Sequence, residues 1–208
     1  MSENFIHDSA EVHSDARLGD NCHIWHFVQI RENVSVGSDC VFGRGVYIGP
    51  GVEVGSAVKI QNYALIYQPA VIDDFVFVGP GAILTNDRFP RSTDEHGALK
   101  DEDAWDVEGV RLQKGSSIGA QAVVLAGVSV GAWAMVGAGS LVSKSVPDFA
   151  LVAGSPARQI GWVGRSGKKL IRDETRSGGE FWICPKGEDI YLEKDGQLFL
   201  FSEGISES

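Results

Sequence analysis

The chain has 208 residues, of which 43% are hydrophobic, and it carries a formal net charge of -10. Its length suits one substantial domain with a small appendage. An acidic chain repels the phosphate backbone of nucleic acids, so we expect no nucleic-acid partner. Its apolar runs are too short for a membrane span, and the first residues are acidic and lack the apolar core of a secretory signal. We therefore expect a cytoplasmic protein without a membrane partner.

An apolar residue recurs at every sixth position from Ile6 to Leu84, and the series resumes from Leu112 to Val142. A small residue precedes most of these anchors by two positions, and glycine often follows them, as at Gly43 and Gly119. A period of six fits neither an α-helix nor an isolated amphipathic strand, and it is typical of parallel β-helices. The repeat therefore predicts an all-β fold, a left-handed parallel β-helix of hexapeptide repeats with three short strands in each coil.

Three hexads in each coil place residues that are eighteen positions apart on top of one another. Two edges of the predicted helix then carry polar and aromatic residues in the middle coils. One edge holds Trp25-His26, Gly43-Arg44, Gln61-Asn62 and Gly79-Pro80, and another holds Arg31-Glu32, Gly49-Pro50, Tyr67-Gln68 and Thr85-Asn86. Such side chains can line a ligand site. The alternative is a ladder of Asn and Gln that satisfies the backbone of the turns.

A polar, charged insertion interrupts the repeat between Leu84 and Leu112. Those anchors are 28 positions apart where six would continue the repeat, so 22 residues are inserted, at about 87–108. A long loop that leaves a regular scaffold is often functional, although a tolerated surface insertion is the alternative. Arg88 and Arg91 lie in this loop, and arginine suits a pyrophosphate or a sugar hydroxyl.

The hexapeptide pattern ends after Val142, and the chain divides into a β-helix domain at 1–163 and a C-terminal extension at 164–208. The extension alternates apolar and polar residues around Lys194-Asp195-Gly196, which predicts a β-hairpin. The three cysteines lack metal-site spacing, and no second cysteine follows Cys184. We expect no metal.

The repeat, the inserted loop and the segment from Val146-Pro147 to Pro156-Ala157-Arg158 together resemble hexapeptide acyltransferases. Three shorter motifs, at 24–27, 59–62 and 85–92, are similar to those of nucleotide-linked 3-amino-sugar N-acetyltransferases, which serve bacterial surface polysaccharide and lipopolysaccharide biosynthesis. The resemblance covers about residues 5 to 163. It implies a homotrimer with active sites between subunits, acetyl-CoA as donor, and a dTDP- or UDP-linked sugar that is acetylated on its 3-amino group.

The resemblance also implies roles for individual residues. Asn86 matches the asparagine that lies at the reacting amine, and Asp87 can accept or stabilise a proton. Asp87 departs from the glucuronate-type members, which favours a dTDP-linked 3-amino-3,6-dideoxyhexose. The residues expected to bind the substrate are His26, Glu32, Gln61, Asn62, Tyr67, Arg88 and Arg91. Those expected to contact CoA are Ala120, Ala138, Gly139, Lys144 and Arg158.

The chemistry of the acceptor separates the remaining hypotheses. A primary amine attacks a thioester with little help from a base, so positioning does most of the work. An O-acetyltransferase of a small hydroxyl acceptor normally needs a histidine base in the central coils, which lack one. A zinc carbonic anhydrase needs three convergent histidines, and the histidines here are grouped in the first coils. A non-catalytic β-helix scaffold would have no reason to carry the inserted loop.

Overall fold

The computed structural model describes residues 3–101 and 106–201, so residues 102–105 of the predicted insertion lie outside the described residues, as do 202–208 of the extension. All regular elements in these ranges are β-strands. The strands of the coils are β1 (Phe5–Ile6), β2 (Glu11–Val12), β3 (Arg17–Leu18), β4 (His23–Ile24), β5 (Gln29–Ile30), β6 (Ser35–Val36), β7 (Val41–Phe42), β8 (Tyr47–Ile48), β9 (Glu53–Val54), β10 (Lys59–Ile60), β11 (Leu65–Ile66), β12 (Val71–Ile72), β13 (Phe77–Val78), β14 (Ile83–Leu84), β15 (Arg111–Leu112), β16 (Ser117–Ile118), β17 (Val123–Val124), β18 (Ser129–Val130), β19 (Met135–Val136), β20 (Leu141–Val142) and β21 (Ala150–Gly154). Then follow β22 (Ala157–Trp162), β23 (Ile171–Arg172), β24 (Glu180–Ile183), β25 (Ile190–Lys194) and β26 (Gln197–Phe201).

The coil strands form three parallel sheets, in which each strand from β1 to β17 pairs with the strand three places later and β19 pairs with β21. The first sheet runs from β1 through β4 and β7 to β21, the second from β2 to β20, and the third from β3 to β18. Ile60 pairs with Val78, so stacked residues are eighteen apart, as the repeat predicts. The insertion between β14 and β15 leaves the stacking intact, because Val71 pairs with Arg111 on its far side. The predicted all-β, left-handed parallel β-helix is confirmed.

The second residue of each short strand in the middle coils points into the helix and fills its core. Ile60, Ile66 and Leu84 are fully buried, and so is the small residue that precedes each of them by two positions, such as Val58. Burying one such aliphatic side chain stabilises the fold by about 1.5–3 kcal/mol. Glycine after a strand allows the coils to approach, since a Cβ at Gly119 would collide with the backbone of Gly137 and Ala138.

The corners between sheets are held by a repeated hydrogen bond that we call the corner ladder. In it, the second residue after a strand accepts, through its side chain, the N–H of the equivalent residue one coil below. The pairs, with the donor first, are Asp20–Ser38, Ser38–Ser56, Arg44–Asn62, Ser56–Asp74 and Ala132–Asp148, at 2.7–3.1 Å. Asn62 is a member of this ladder, so at that position the structure shows the backbone-satisfying arrangement that the sequence left open.

The extension forms a four-stranded antiparallel sheet, β23–β26, that packs on the last coils. The predicted hairpin is present, with Lys194 paired to Gln197. The indole N–H groups of Trp162 and Trp182 both donate to Glu193 Oε2, at 3.0 and 2.9 Å. Because Trp162 belongs to β22 and Trp182 to the extension, this carboxylate joins the sheet to the β-helix.

Replacing Glu193 by leucine should loosen the extension while the coils stay folded. The change removes the acceptor of two indole N–H groups, and losing such bonds to a partly buried carboxylate costs about 1–3 kcal/mol. Hydrogen exchange should therefore accelerate in β24–β26 and remain unchanged in β7–β14. Glu180→Leu, at an exposed position of the same sheet, is the control, and equal acceleration in both variants would contradict the joining role of Glu193.

Candidate functional site

A cleft of about 610 Å³ opens where the inserted loop leaves the corner between the second and third sheets. We call it the loop cleft. It is lined by Tyr47, Tyr67, Gln68, Asn86, Asp87, Pro90, Arg91 and Ser92. The structure thus brings together four residues predicted to form the site, namely Asn86, Asp87, Tyr67 and Arg91.

Asn86 has a fixed backbone and an unpaired side chain. Its carbonyl accepts a hydrogen bond from the N–H of Glu108 at 3.0 Å, and Thr85 before it is bonded through its hydroxyl to Ala126 N–H at 3.0 Å. The residue is only 9% exposed, yet its carboxamide makes no hydrogen bond to any residue that the structure describes. An unpaired amide on a mostly buried residue at the wall of a cleft is suited to binding a ligand.

Asp87 turns the chain out of the helix into the loop. It forms an antiparallel bridge with Val107, and its Oδ1 accepts the N–H of Phe89 at 2.7 Å. Its second carboxylate oxygen has no hydrogen-bond partner among residues 3–101 and 106–201. That oxygen is available to a donor in the cleft, so Asp87 can both shape the loop and contact a ligand.

The two arginines of the loop separate in the structure. Arg88 Nη2 donates to the carbonyl of Ala126 at 3.0 Å, and its Nε lies 3.6 Å from Glu108 Oε2. It therefore clamps the base of the loop onto the helix and does not line the loop cleft. Arg91, by contrast, lines the cleft and is exposed, and among the described residues it donates only to the carbonyl of its neighbour Pro90, at 3.0 Å.

Two tyrosines form the aromatic side of the loop cleft. The rings of Tyr47 and Tyr67 have centroids 5.4 Å apart and are tilted by 50°. Sequence reasoning selected Tyr67 but missed Tyr47, which lies at the outward position of β8 in the coil below. The sequence spacing could have identified Tyr47, because it lies eighteen positions before Leu65, beside the edge that carries Tyr67 and Asn86.

Glu32 lies lower on the same corner as Asn86 and is engaged by its neighbour. Arg31 Nε and Nη2 donate to the two carboxylate oxygens of Glu32 at 2.8 and 3.0 Å. These hydrogen bonds lower the pKa of Glu32 and raise that of Arg31. Glu32 is not among the described residues that line the loop cleft.

His26, Gln61 and Asn62 lie on the corner between the first and second sheets, away from the loop cleft. The His26 ring stacks on His7 with centroids 3.5 Å apart. Asn62 Oδ1 accepts the N–H of Arg44 at 2.9 Å. The fold of the chain therefore does not bring these three predicted substrate-binding residues to Asn86.

The residues predicted to contact CoA divide between two corners of the upper coils. Ala120, Ala138 and Gly139 lie on the corner between the first and second sheets, and Arg158 is close to them because it pairs with Ala153 across β21 and β22. Lys144 is exposed and lies above Asn86 on the other corner. The small residues predicted to contact CoA and Lys144 therefore lie on different corners of the chain.

No group of three or more His, Cys, Asp or Glu side chains in the described ranges is placed to hold a metal ion. Cys40 is buried in the core, and burial raises the pKa of its thiol to about 11. No helix in the described part of the chain is long and apolar enough to cross a membrane.

The repeats of the β-helix match two family profiles. Residues 15–50 match the bacterial transferase hexapeptide family (six repeats), and residues 109–144 match the hexapeptide repeat of succinyl-transferase. The chain therefore carries hexapeptide repeats of the bacterial transferase type.

The relatives with these repeats include sugar and amino-acid acetyltransferases. The chain is 51% identical over 59 residues to a dTDP-3-amino-3,6-dideoxy-α-D-galactopyranose 3-N-acetyltransferase of Aneurinibacillus thermoaerophilus, which covers 28% of this chain and 31% of that protein. It is 33% identical over 129 residues to serine acetyltransferase 4 of Arabidopsis thaliana, covering 59% and 31%. The chain thus spans about a third of the length of these relatives. The predicted resemblance to nucleotide-linked 3-amino-sugar N-acetyltransferases is confirmed.

A solved structure shares the fold. The N-acyltransferase AntD from Bacillus cereus, crystallised as a mutant with dTDP and coenzyme A, superimposes with a TM-score of 0.53 at 21% identity, covering 77% of this chain and 81% of that one. At this level of identity the likeness supports the β-helix fold alone.

Proposed function

We propose that this chain is an N-acetyltransferase that moves acetyl from acetyl-CoA to the 3-amino group of a dTDP- or UDP-linked amino sugar, in the cytoplasm, for surface polysaccharide and lipopolysaccharide biosynthesis. The observation that carries the proposal is the unpaired amide of Asn86 in a cleft whose lining residues include no histidine. An amine acceptor needs positioning more than it needs a base. The match to a dTDP-linked 3-amino-sugar N-acetyltransferase supports the same acceptor.

In the proposed reaction, the side-chain oxygen of Asn86 accepts a hydrogen bond from the acceptor amine. This bond directs the lone pair of the amine nitrogen at the thioester carbon. The N–C bond forms, the C–S bond breaks, and the proton that leaves the nitrogen ends on the departing CoA sulfur or in water. Asp87 follows Asn86 in the chain and lines the same cleft, so its second carboxylate oxygen can stabilise that proton. Tyr67 and Tyr47 pack against the sugar, and the guanidinium of Arg91 meets the nucleotide pyrophosphate.

The proposed assembly is a homotrimer in which a neighbouring subunit completes each site. The division of the predicted residues between two corners supports this arrangement, because His26, Gln61, Asn62 and the small residues at 120 and 138–139 lie away from the loop cleft of their own subunit. Contact between the two corners across a subunit boundary would place CoA beside the cleft. In such a site Lys144 and Arg158 approach the CoA phosphates from opposite sides.

An assay of thiol release from acetyl-CoA tests the proposal directly. The panel consists of dTDP- and UDP-linked 3-amino sugars, their 4-amino isomers and the matching 3-hydroxy sugars. We expect turnover on a 3-amino member and none on its 3-hydroxy counterpart. Turnover confined to hydroxyl acceptors, or binding of no CoA at all, would contradict the proposed function.

A second candidate is O-acetylation of a small hydroxyl acceptor, which the 33% identity to a serine acetyltransferase favours. A hydroxyl must lose its proton as it attacks, so that reaction depends on a general base. Among the described residues that line the loop cleft, Asp87 is the one carboxylic acid. The same assay with L-serine and with simple sugars as acceptors separates the two reactions.

A further inference from the structure

Gln68, in the wall of the loop cleft, occupies a place in the corner ladder without the donor that the other members have. A Cβ added at Gly49 would lie 2.7 Å from Gln68 Oε1, just as one added at Gly55 would lie 2.5 Å from Asp74 Oδ1. Asp74 Oδ1 is paired there with the N–H of Ser56 at 2.7 Å. The residue beneath Gln68 is Pro50, which has no N–H to give.

The carboxamide of Gln68 is consequently unused. Its Oε1 is buried and has no hydrogen-bond partner, and its Nε2 makes no hydrogen bond to the described residues. A buried polar group without a partner is rare in native structures, and it gains when a ligand supplies the missing bond. Gln68 also lines the loop cleft, where a ligand can meet its side chain.

Gln68 and Asn86 lie on successive coils of one corner, because β11 and β14 pair in register with Leu65 opposite Ile83. Neighbouring parallel strands are about 4.8 Å apart. Two amides at this spacing can hold two groups on adjacent carbons of one sugar ring.

We propose that Gln68 is a specificity-determining residue of the acceptor site: its carboxamide, left unpaired by Pro50, hydrogen-bonds the hydroxyl on the sugar carbon next to the one that bears the reacting amine. This inference rests on the proposed function. Pro50 then influences sugar binding indirectly. Because Pro50 has no N–H to donate, the Gln68 carboxamide stays available to the sugar.

The first test replaces Gln68 by methionine, which keeps the length of the side chain and removes its hydrogen bonds. The parent 3-amino sugar nucleotide is compared with its 2-deoxy and 4-deoxy analogues. We expect kcat/KM for the parent to fall about tenfold, and the fall to disappear with the analogue that lacks the hydroxyl in question. An equal fall with all three acceptors, or no fall, would overturn the inference.

The second test restores the missing donor with Pro50→Ala, a change outside the cleft lining. The new N–H pairs with Gln68 Oε1 as Arg44 N–H pairs with Asn62, so kcat/KM for the parent should fall several-fold while the melting temperature holds or rises. Pro80→Ala is the matched control, because the residue stacked above Pro80 is Ala120, whose side chain cannot accept. Identical kinetics for Pro50→Ala and Pro80→Ala would overturn the role of Pro50.

Turnover by the wild-type protein separates a failure of the Gln68 inference from a failure of the proposed function. If it turns over an amino sugar and Gln68→Met behaves like it, the inference about Gln68 fails and the proposed function stands. If it turns over no amino sugar, the proposed function fails and the inference falls with it.

Discussion

Asn86→Ala is expected to lower kcat for acetyl transfer to the amino sugar about 10- to 100-fold. A hydrogen bond to a group that becomes charged during reaction is worth about 1.5–3 kcal/mol, which corresponds to that range of rates. Because the backbone of residue 86 is held by Glu108 and the Asn86 carboxamide has no hydrogen-bond partner in the described structure, the truncation removes the proposed contact without breaking a hydrogen bond of the fold. Steady-state kinetics with saturating acetyl-CoA measures the loss.

The control for Asn86→Ala is Gln113→Ala, which removes an amide from another corner, where Gln113 bonds Ser129 at 3.2 Å. It should retain wild-type kcat. Thermal denaturation and sedimentation of both variants check that fold and assembly persist. Wild-type activity in Asn86→Ala would contradict the site assignment.

Ile60→Ala should strongly lower the stability of the fold, because Ile60 is fully buried in the middle of the coil stack. Truncating such a residue leaves a cavity that the flanking coils cannot close, and it costs about 2–5 kcal/mol. The free energy of unfolding, measured with denaturant, should show this loss.

Lys59→Ala, on the outward side of the same strand, provides the comparison for Ile60→Ala. It should change the free energy of unfolding by less than about 0.5 kcal/mol. Similar losses in both variants would contradict the inward and outward assignment of β10.

The β-helix was predictable because its repeat fixes which residues stack. Counting eighteen positions places Asn86 above Gln68, and places Asn62 on a different corner, before any coordinates are known. The same counting selects Tyr67 for the cleft wall. Where the chain is periodic, the spatial position of a residue can therefore be predicted from the sequence spacing.

The contacts of the loop were not predictable in this way, since residues 87–108 follow no period. Arg88 and Arg91 are equivalent from the sequence, but one clamps the loop to Ala126 and the other faces the cleft. Tyr47 was missed because an aromatic residue on the outward side of a strand looks like ordinary surface packing. His26 lies on a different corner from the loop cleft, so its involvement in substrate binding stays a prediction.

The unbroken pairing of Val71 with Arg111 across the insertion has a consequence for how the protein can diversify. The coils on either side register with each other whatever the loop contains, and doubling the length of a flexible loop costs only about 0.6 kcal/mol of closure entropy. Duplication, exchange or shortening of the segment between β14 and β15 thus changes the free energy of folding only slightly. The loop can therefore change by recombination at this one junction while the coils are inherited unchanged.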